Sequence, residues 1–277
     1  MTDPANPAAW QILLAEAEQA LDEGRHDDAL QLCDRAAHRS DEARYHAALL
    51  RGDILLDLGD AAGALSSYET VAHPERTDPG LDCARGVALF ELGRLPEAEN
   101  ALQSAVTGAP DLAEAHYTLG LIAELLGTGR EAGYFRAARR LDKERFRAPT
   151  PMSQEAFESA VDEALHGLAA GFVAALEHVP VLVVELPHPD DLRHAEPPLS
   201  PLALGMFVGT PPTLAGAVMD TPDPRQATMV LYKRNLERAA PKRAQLIDEI
   251  RRTVAFELGA ALGMSELEVE ERLDEAP

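Results

Sequence analysis

The sequence predicts an α-solenoid over residues 1–147 and a small α+β domain over residues 152–277. Three observations carry that prediction. Small residues recur at one fixed period through the first half. Two prolines, Pro149 and Pro151, then break the helical pattern. Beyond them the order of patterns becomes helix, strand, loop, strand, strand, helix, which fits an α+β plan.

The period is read from glycine and alanine. Gly52, Gly86 and Gly120 lie 34 residues apart, as do Gly59, Gly93 and Gly127, and Ala64, Ala98 and Ala132. An earlier copy, at a spacing of 35, carries Ala17, Gly24 and Ala29. Gly86 and Ala98 let the two helices of one repeat approach closely, where larger side chains would push them apart. Gly93 ends the first helix in a backbone conformation that glycine adopts without steric cost. The clearest copy is "CARGVALFELGRLPEAENALQSAVTGAP", closed by Pro110. In the last copy Phe135 and Ala138 arrive one residue early, as suits a terminal unit that caps a stack.

A 34-residue helix-turn-helix unit with these small positions resembles the tetratricopeptide repeat. About four copies fit. The resemblance implies a groove lined by the first helix of each repeat, and the period maps His46, Leu49, Asp53, Leu56, Val87, Phe90, Tyr117, Leu121 and Glu124 onto it. No Lys or Asn stands among these positions to clamp a terminal carboxylate. One reading is therefore a groove for a protein or peptide with apolar anchors, basic or neutral in charge. The other is that several of these side chains pack on a neighbouring segment or domain.

The second half is read element by element. Ser153 is an N-cap candidate for a helix reaching about Glu177, with Phe157, Val161, Ala164, Leu165, Leu168 and Phe172 on one stripe. "VPVLVVELP" is a β-branched run bounded by prolines, hence a buried strand. Residues 188–201 are proline-rich and polar and are expected to form a loop. "LGMFVGTP" and "ATMVLYKRNLE" follow as strand-like segments. A last helix is expected from about Pro241 to Leu262, with Leu246, Ile250, Val254, Glu257 and Leu258 on its inner side.

These segments, in this order, resemble the minimal zincin-like metallopeptidases of bacteria, with the likeness spanning about residues 152–273. In that family the last helix carries H-E-x-x-H. Its two histidines, four residues apart, reach one Zn²⁺, and its Glu is the general base. Here the stretch reads "FELGAALG". The resemblance implies Phe256 and Ala260 at the two ligand positions, Glu257 at the base position, Gly263 as the turn glycine and Glu266 as a candidate acidic ligand. Neither Phe nor Ala has a lone pair for zinc. The expectation is a degenerate site with no metal and no cofactor, its positions 256 and 260 still on one face, toward the sheet and the former cleft. The last histidines in the chain are His188 and His194, both within the expected loop.

Composition narrows the function classes. Of 277 residues, 46% are hydrophobic, enough for sizeable cores. The formal net charge of -22 argues against a nucleic-acid backbone or an anionic membrane as partner. No apolar run approaches membrane-spanning length and "MTDPANPAAW" has no signal-peptide pattern, so a cytoplasmic location is expected. Cys33 and Cys83 form no C-x-x-C pair and read as buried thiols. Phosphate loops, GxSxG elbows and GxGxxG fingerprints do not occur. The sequence thus points to a non-enzymatic scaffold or regulator, with an active protease paralogue among its candidate partners. The competing reading is a peptidase that uses Glu257 with ligands supplied from elsewhere.

Overall fold

The computed structural model describes residues 8–72, 78–147, 151–177, 179–194, 199–209 and 227–274. The chain divides into two compact units, Met1–Arg147 with Pro189–Pro201, and Ala148–His188 with Leu202–Pro277.

The first unit is a row of helix pairs: α1 (Ala8–Asp22) and α2 (His26–Ala37), α3 (Asp41–Asp57) and α4 (Ala61–Glu69), α5 (Pro79–Glu91) and α6 (Leu95–Gly108), α7 (Ala113–Leu125) and α8 (Glu131–Leu141). Side chains start several of them. Ser40 accepts from the Ala43 amide at α3, Asp60 from Gly63 at α4, and Asp78 from Leu81 at α5, where Pro79 stands at the first position. In the second, third and fourth pairs the helices touch through a missing side chain. A Cβ at Gly52 would run into the Tyr68 ring, at Gly86 it would lie 2.6 Å from Leu102, and at Gly120 2.6 Å from Phe135. The early arrival of Phe135 therefore still fills the space opposite its glycine. Gly59, Gly93 and Gly127 end the first helices with φ between 61° and 76°.

The second unit opens with α9 (Gln154–His166), capped by Ser153, whose hydroxyl accepts from the Ala156 amide. The single helix expected to about Glu177 is in fact two. It stops at Gly167 and resumes as α10 (Ala170–Leu176), and the break lets both Leu168 and Phe172 turn inward, each 1% exposed. Among the described residues the sheet has three strands in the order β1-β3-β2. β1 (Val181–Val184) runs parallel to β3 (Thr228–Tyr232), and β2 (Gly205–Val208) runs antiparallel to it. The strand-like reading of "ATMVLYKRNLE" holds only to Tyr232. Residues 233–239 then form a helix. Residues 189–194, earlier in the chain, also form a short helix, so they are α11 (Pro189–His194) and α12 (Lys233–Ala239) in chain order. α13 (Arg243–Ala261) buries Leu246, Ile250, Val254 and Leu258 beside Met229 and Leu231 of β3. A last helix, α14 (Glu266–Leu273), was not expected. Its signal stood in the sequence as Ser265 and Glu268, which form a reciprocal capping box.

Residues 188–201 are thus not simply a loop. Besides carrying α11, Pro189–Pro201 packs with the first unit although the chain on either side builds the second. Leu192 is 1% exposed within the apolar cluster of the repeats.

Candidate functional site

Two places carry sequence-predicted residues, one in each unit. In the second unit the stretch "FELGAALG" begins on α13. Phe256 and Ala260, one turn apart, share a face of the helix. Ala260 is exposed. Phe256 is half-buried, with the Arg252 guanidinium 5.5 Å from its ring centre. The expectation that positions 256 and 260 both turn toward the sheet fails at Ala260, while Phe256 packs at the edge of the core. Val254, Leu258 and Glu257 face the sheet, because the apolar stripe that anchors α13 fixes its rotation. Glu257 Oε2 accepts a hydrogen bond from the Phe207 amide of β2 at 3.2 Å. Burial raises the proton affinity of that carboxyl above the usual carboxylate range, and the Phe207 bond partly opposes the rise. Gly263, with φ of 75°, turns the chain out of α13, and Glu266 stands exposed in the first turn of α14.

Zinc needs lone-pair donors, usually three from the protein plus water. Phe256 and Ala260 offer none. Among the described residues no group of three His, Cys, Asp or Glu could hold a metal ion. His188 is exposed, and the side chain of His194 lies outside the described residues. The residues present do not fit the metal that the sequence resemblance implies.

In the first unit the predicted groove positions fall into three groups. Leu49, Leu56, Val87 and Tyr117 are half-buried and pack on the apolar cluster of the repeats. Tyr117 sits between Phe135 and Phe146, with ring centres 5.5 Å and 4.7 Å away. Phe90 and Leu121 were expected to face a partner, yet they are 2% and 5% exposed inside that same cluster. The polar positions are engaged differently. Asp53 accepts a 2.7 Å bond from the Tyr68 hydroxyl, His46 stacks on Trp10 at 5.3 Å, and Glu124 is half-buried.

The residues that sequence reasoning missed come from the far segment. Ser200 donates to Glu91 Oε2 on α5, and the same pocket is lined by Leu56 and Val87. Leu192 lies against the Gly93 turn, and Leu199 packs on the repeat cluster. No periodicity could have found these contacts, because the segment is not part of the repeat. The two thiols are inert: burial pushes Cys33 and Cys83 up to about 12. No helix among the described residues is long and apolar enough to cross a membrane.

Comparison with known proteins agrees with both halves. The family described as tetratricopeptide repeat matches residues 14–80 and 83–145, and the family described as zincin-like metallopeptidase matches residues 176–275. The chain therefore carries tetratricopeptide repeats followed by a zincin-like metallopeptidase domain. Solved structures that resemble it include TTC0263, a thermophilic TPR protein in Thermus thermophilus. That pair is 26% identical over 61% of this chain and 91% of the other, with a TM-score of 0.42. MamA from Desulfovibrio magneticus RS-1 is 24% identical over 52% of this chain and 78% of its own, with a TM-score of 0.39. YrrB, a TPR protein with an unusual peptide-binding site, is 16% identical over 50% and 72%, also at 0.39. The curated proteins contain no match.

Proposed function

We propose that the protein is a non-catalytic binding scaffold or regulator, in which a repeat array at residues 1–147 is joined to a pseudo-metallopeptidase domain at residues 152–277. One observation carries this reading. The two positions that should hold zinc on α13 are Phe256 and Ala260, and the carboxylate between them is bonded to a strand amide. A helix so equipped keeps the fold of a peptidase without its ligand set. The array is then the part that binds, and its partner is a protein or peptide. The acidic side chains Asp53, Asp57, Glu91 and Glu124 favour a basic or neutral partner. A cytoplasmic location fits the composition, and an active peptidase of the same family is one partner this architecture suits.

The second reading, a peptidase that works through Glu257, draws on a single feature. Its carboxyl is half-buried and holds its proton more tightly than usual, as a general base does. Metal analysis and a peptidase assay on the purified chain separate the two. The expected result is zinc far below one ion per chain and no zinc-dependent peptide hydrolysis. Stoichiometric zinc beside Glu257 would overturn the proposal. The double substitution Phe256→His with Ala260→His is expected to create measurable zinc retention, with Glu266 as the candidate third ligand and water as the fourth.

A further inference from the structure

The turn between the first and second helix of each repeat offers a comparison within the chain. Gly24, Gly59, Gly93 and Gly127 occupy the same place and share the same backbone form, with φ from 61° to 76°. Around Gly24, Gly59 and Gly127 no described residue comes near the space a Cβ would enter. At Gly93 that Cβ would lie 3.1 Å from the Cβ of Leu192. One repeat turn of four is therefore covered, and by a residue about a hundred positions away in sequence.

The cover is specific. Leu192 is 1% exposed, so its side chain is fully inserted, and Leu199 adds a second apolar contact. Ser200 places its hydroxyl on Glu91, one turn of α5 beyond Val87, at 2.5 Å. Beside them, Ser200 lines a pocket of about 340 Å³ together with Leu56, Val87 and Glu91, a volume sized for side chains rather than a folded domain. The helix that carries Leu192 has 6 residues, too few to hold itself without support. Its order comes from what it rests on.

We propose that this face of the repeats, made by Leu56, Val87, Glu91 and Gly93, is a peptide-docking site whose resident occupants are the chain's own Leu192, Leu199 and Ser200. A partner of the face binds by displacing the segment that carries them. The proposal rests on the reading of the array as the binding module, and it names both the site and the chemistry it accepts. That chemistry is a short segment with a leucine anchor for the Gly93 turn and a hydrogen-bond donor for Glu91. Glu91 is half-buried, and burial raises the proton affinity of its carboxyl. An incoming cation at the place of Ser200 would therefore relieve a desolvated carboxylate better than a hydroxyl does. Because the segment is tethered at both ends, it acts at an effective concentration on the order of millimolar. A free peptide at micromolar concentration does not displace it.

The test uses the full chain and a fluorescent synthetic peptide of residues 189–201. Leu192→Asp releases the resident segment while leaving the docking face native. The labelled peptide is expected to bind the released chain at least about tenfold more tightly than the wild type. Adding Val87→Glu to the released chain should abolish that binding. If Leu192→Asp loses its helical circular-dichroism signal, Leu192→Ser with Leu199→Ser serves as the milder release. Equal affinity for wild-type and released chains would overturn the proposal. So would no binding to the released chain at peptide concentrations up to about 1 mM, or binding that survives Val87→Glu. Zinc content and peptidase activity bear on the earlier reading alone, so the two can fail separately.

Discussion

α5 in the repeat array and α13 in the second unit are both helices that bury one face, but different constraints shape them. In the array the same device recurs. A glycine on the first helix receives a large side chain from the second, Tyr68 at Gly52, Leu102 at Gly86 and Phe135 at Gly120. The filling residue changes and the hole does not. On α13 the inward residues Leu246, Ile250, Val254 and Leu258 are all at most 1% exposed, while Phe256 is half-buried at the edge of the same core and Ala260 is exposed. The lesson is that the array repeats one device from unit to unit, whereas α13 is anchored by a single apolar stripe of its own.

Three experiments break or sharpen that contrast. The largest effect is expected from comparing two phenylalanines. Phe90→Ala empties a side chain that is 2% exposed and should cost about 3–5 kcal/mol in chemical denaturation. Phe256→Ala removes a half-buried ring under Arg252 and should cost about 1 kcal/mol. Equal losses would mean that the half-buried Phe256 ring holds its core as firmly as Phe90 holds the array.

The second comparison adds volume instead of removing it. Gly86→Leu drives a side chain into Leu102 and should lower stability by about 1–3 kcal/mol. Ala260→Leu adds the same kind of bulk to an exposed position and should change stability by less than about 0.5 kcal/mol. A thermal melt of each variant against wild type decides the matter. A tolerated Gly86→Leu would remove close helix approach from the account of the array.

The smallest effect concerns Glu257. Its folded proton affinity is raised above the ordinary value of 4.5. Between that value and the raised one, the folded state binds more protons than the unfolded state, so stability falls as pH rises through the window and stays lower above it. Glu257→Gln removes the ionisable group and can still accept from the Phe207 amide. The variant should melt slightly higher than wild type near neutral pH, and the gain should vanish on acidification below about pH 4. A loss of stability at neutral pH would instead show that the charged carboxylate is what holds β2 to α13.

Much of this protein was legible in its sequence, and the legible parts share a cause. The repeat period, the turn glycines, the Ser153 cap and the inward stripe of α13 all depend on residues within about one helical turn or one repeat of each other. Local spacing is enough to read such features. The break after α9 and the turn of β3 into α12 were missed, because there the demands of the core outweigh the local pattern. Leu168 must reach the core, and Leu236 on α12 is wholly buried. On α13 the sequence determined which side chains stand at positions 256, 257 and 260. Only the tertiary structure decided that Glu257 meets the Phe207 amide, 50 positions away in the chain.

The clearest division lies on the surface of the repeats. Periodicity assigned Leu56 and Val87 to one face of the first helices, and Phe90 and Leu121 with them, although these two are buried inside the repeat cluster. It could not say what lies on that face. The hydrophobic effect is non-directional, so an apolar row is satisfied equally by a partner, a second copy or a distant part of its own chain. The fold supplied Pro189–Pro201. Ser200 reaches Glu91 across a sequence separation of 109, and no local pattern records a contact of that range.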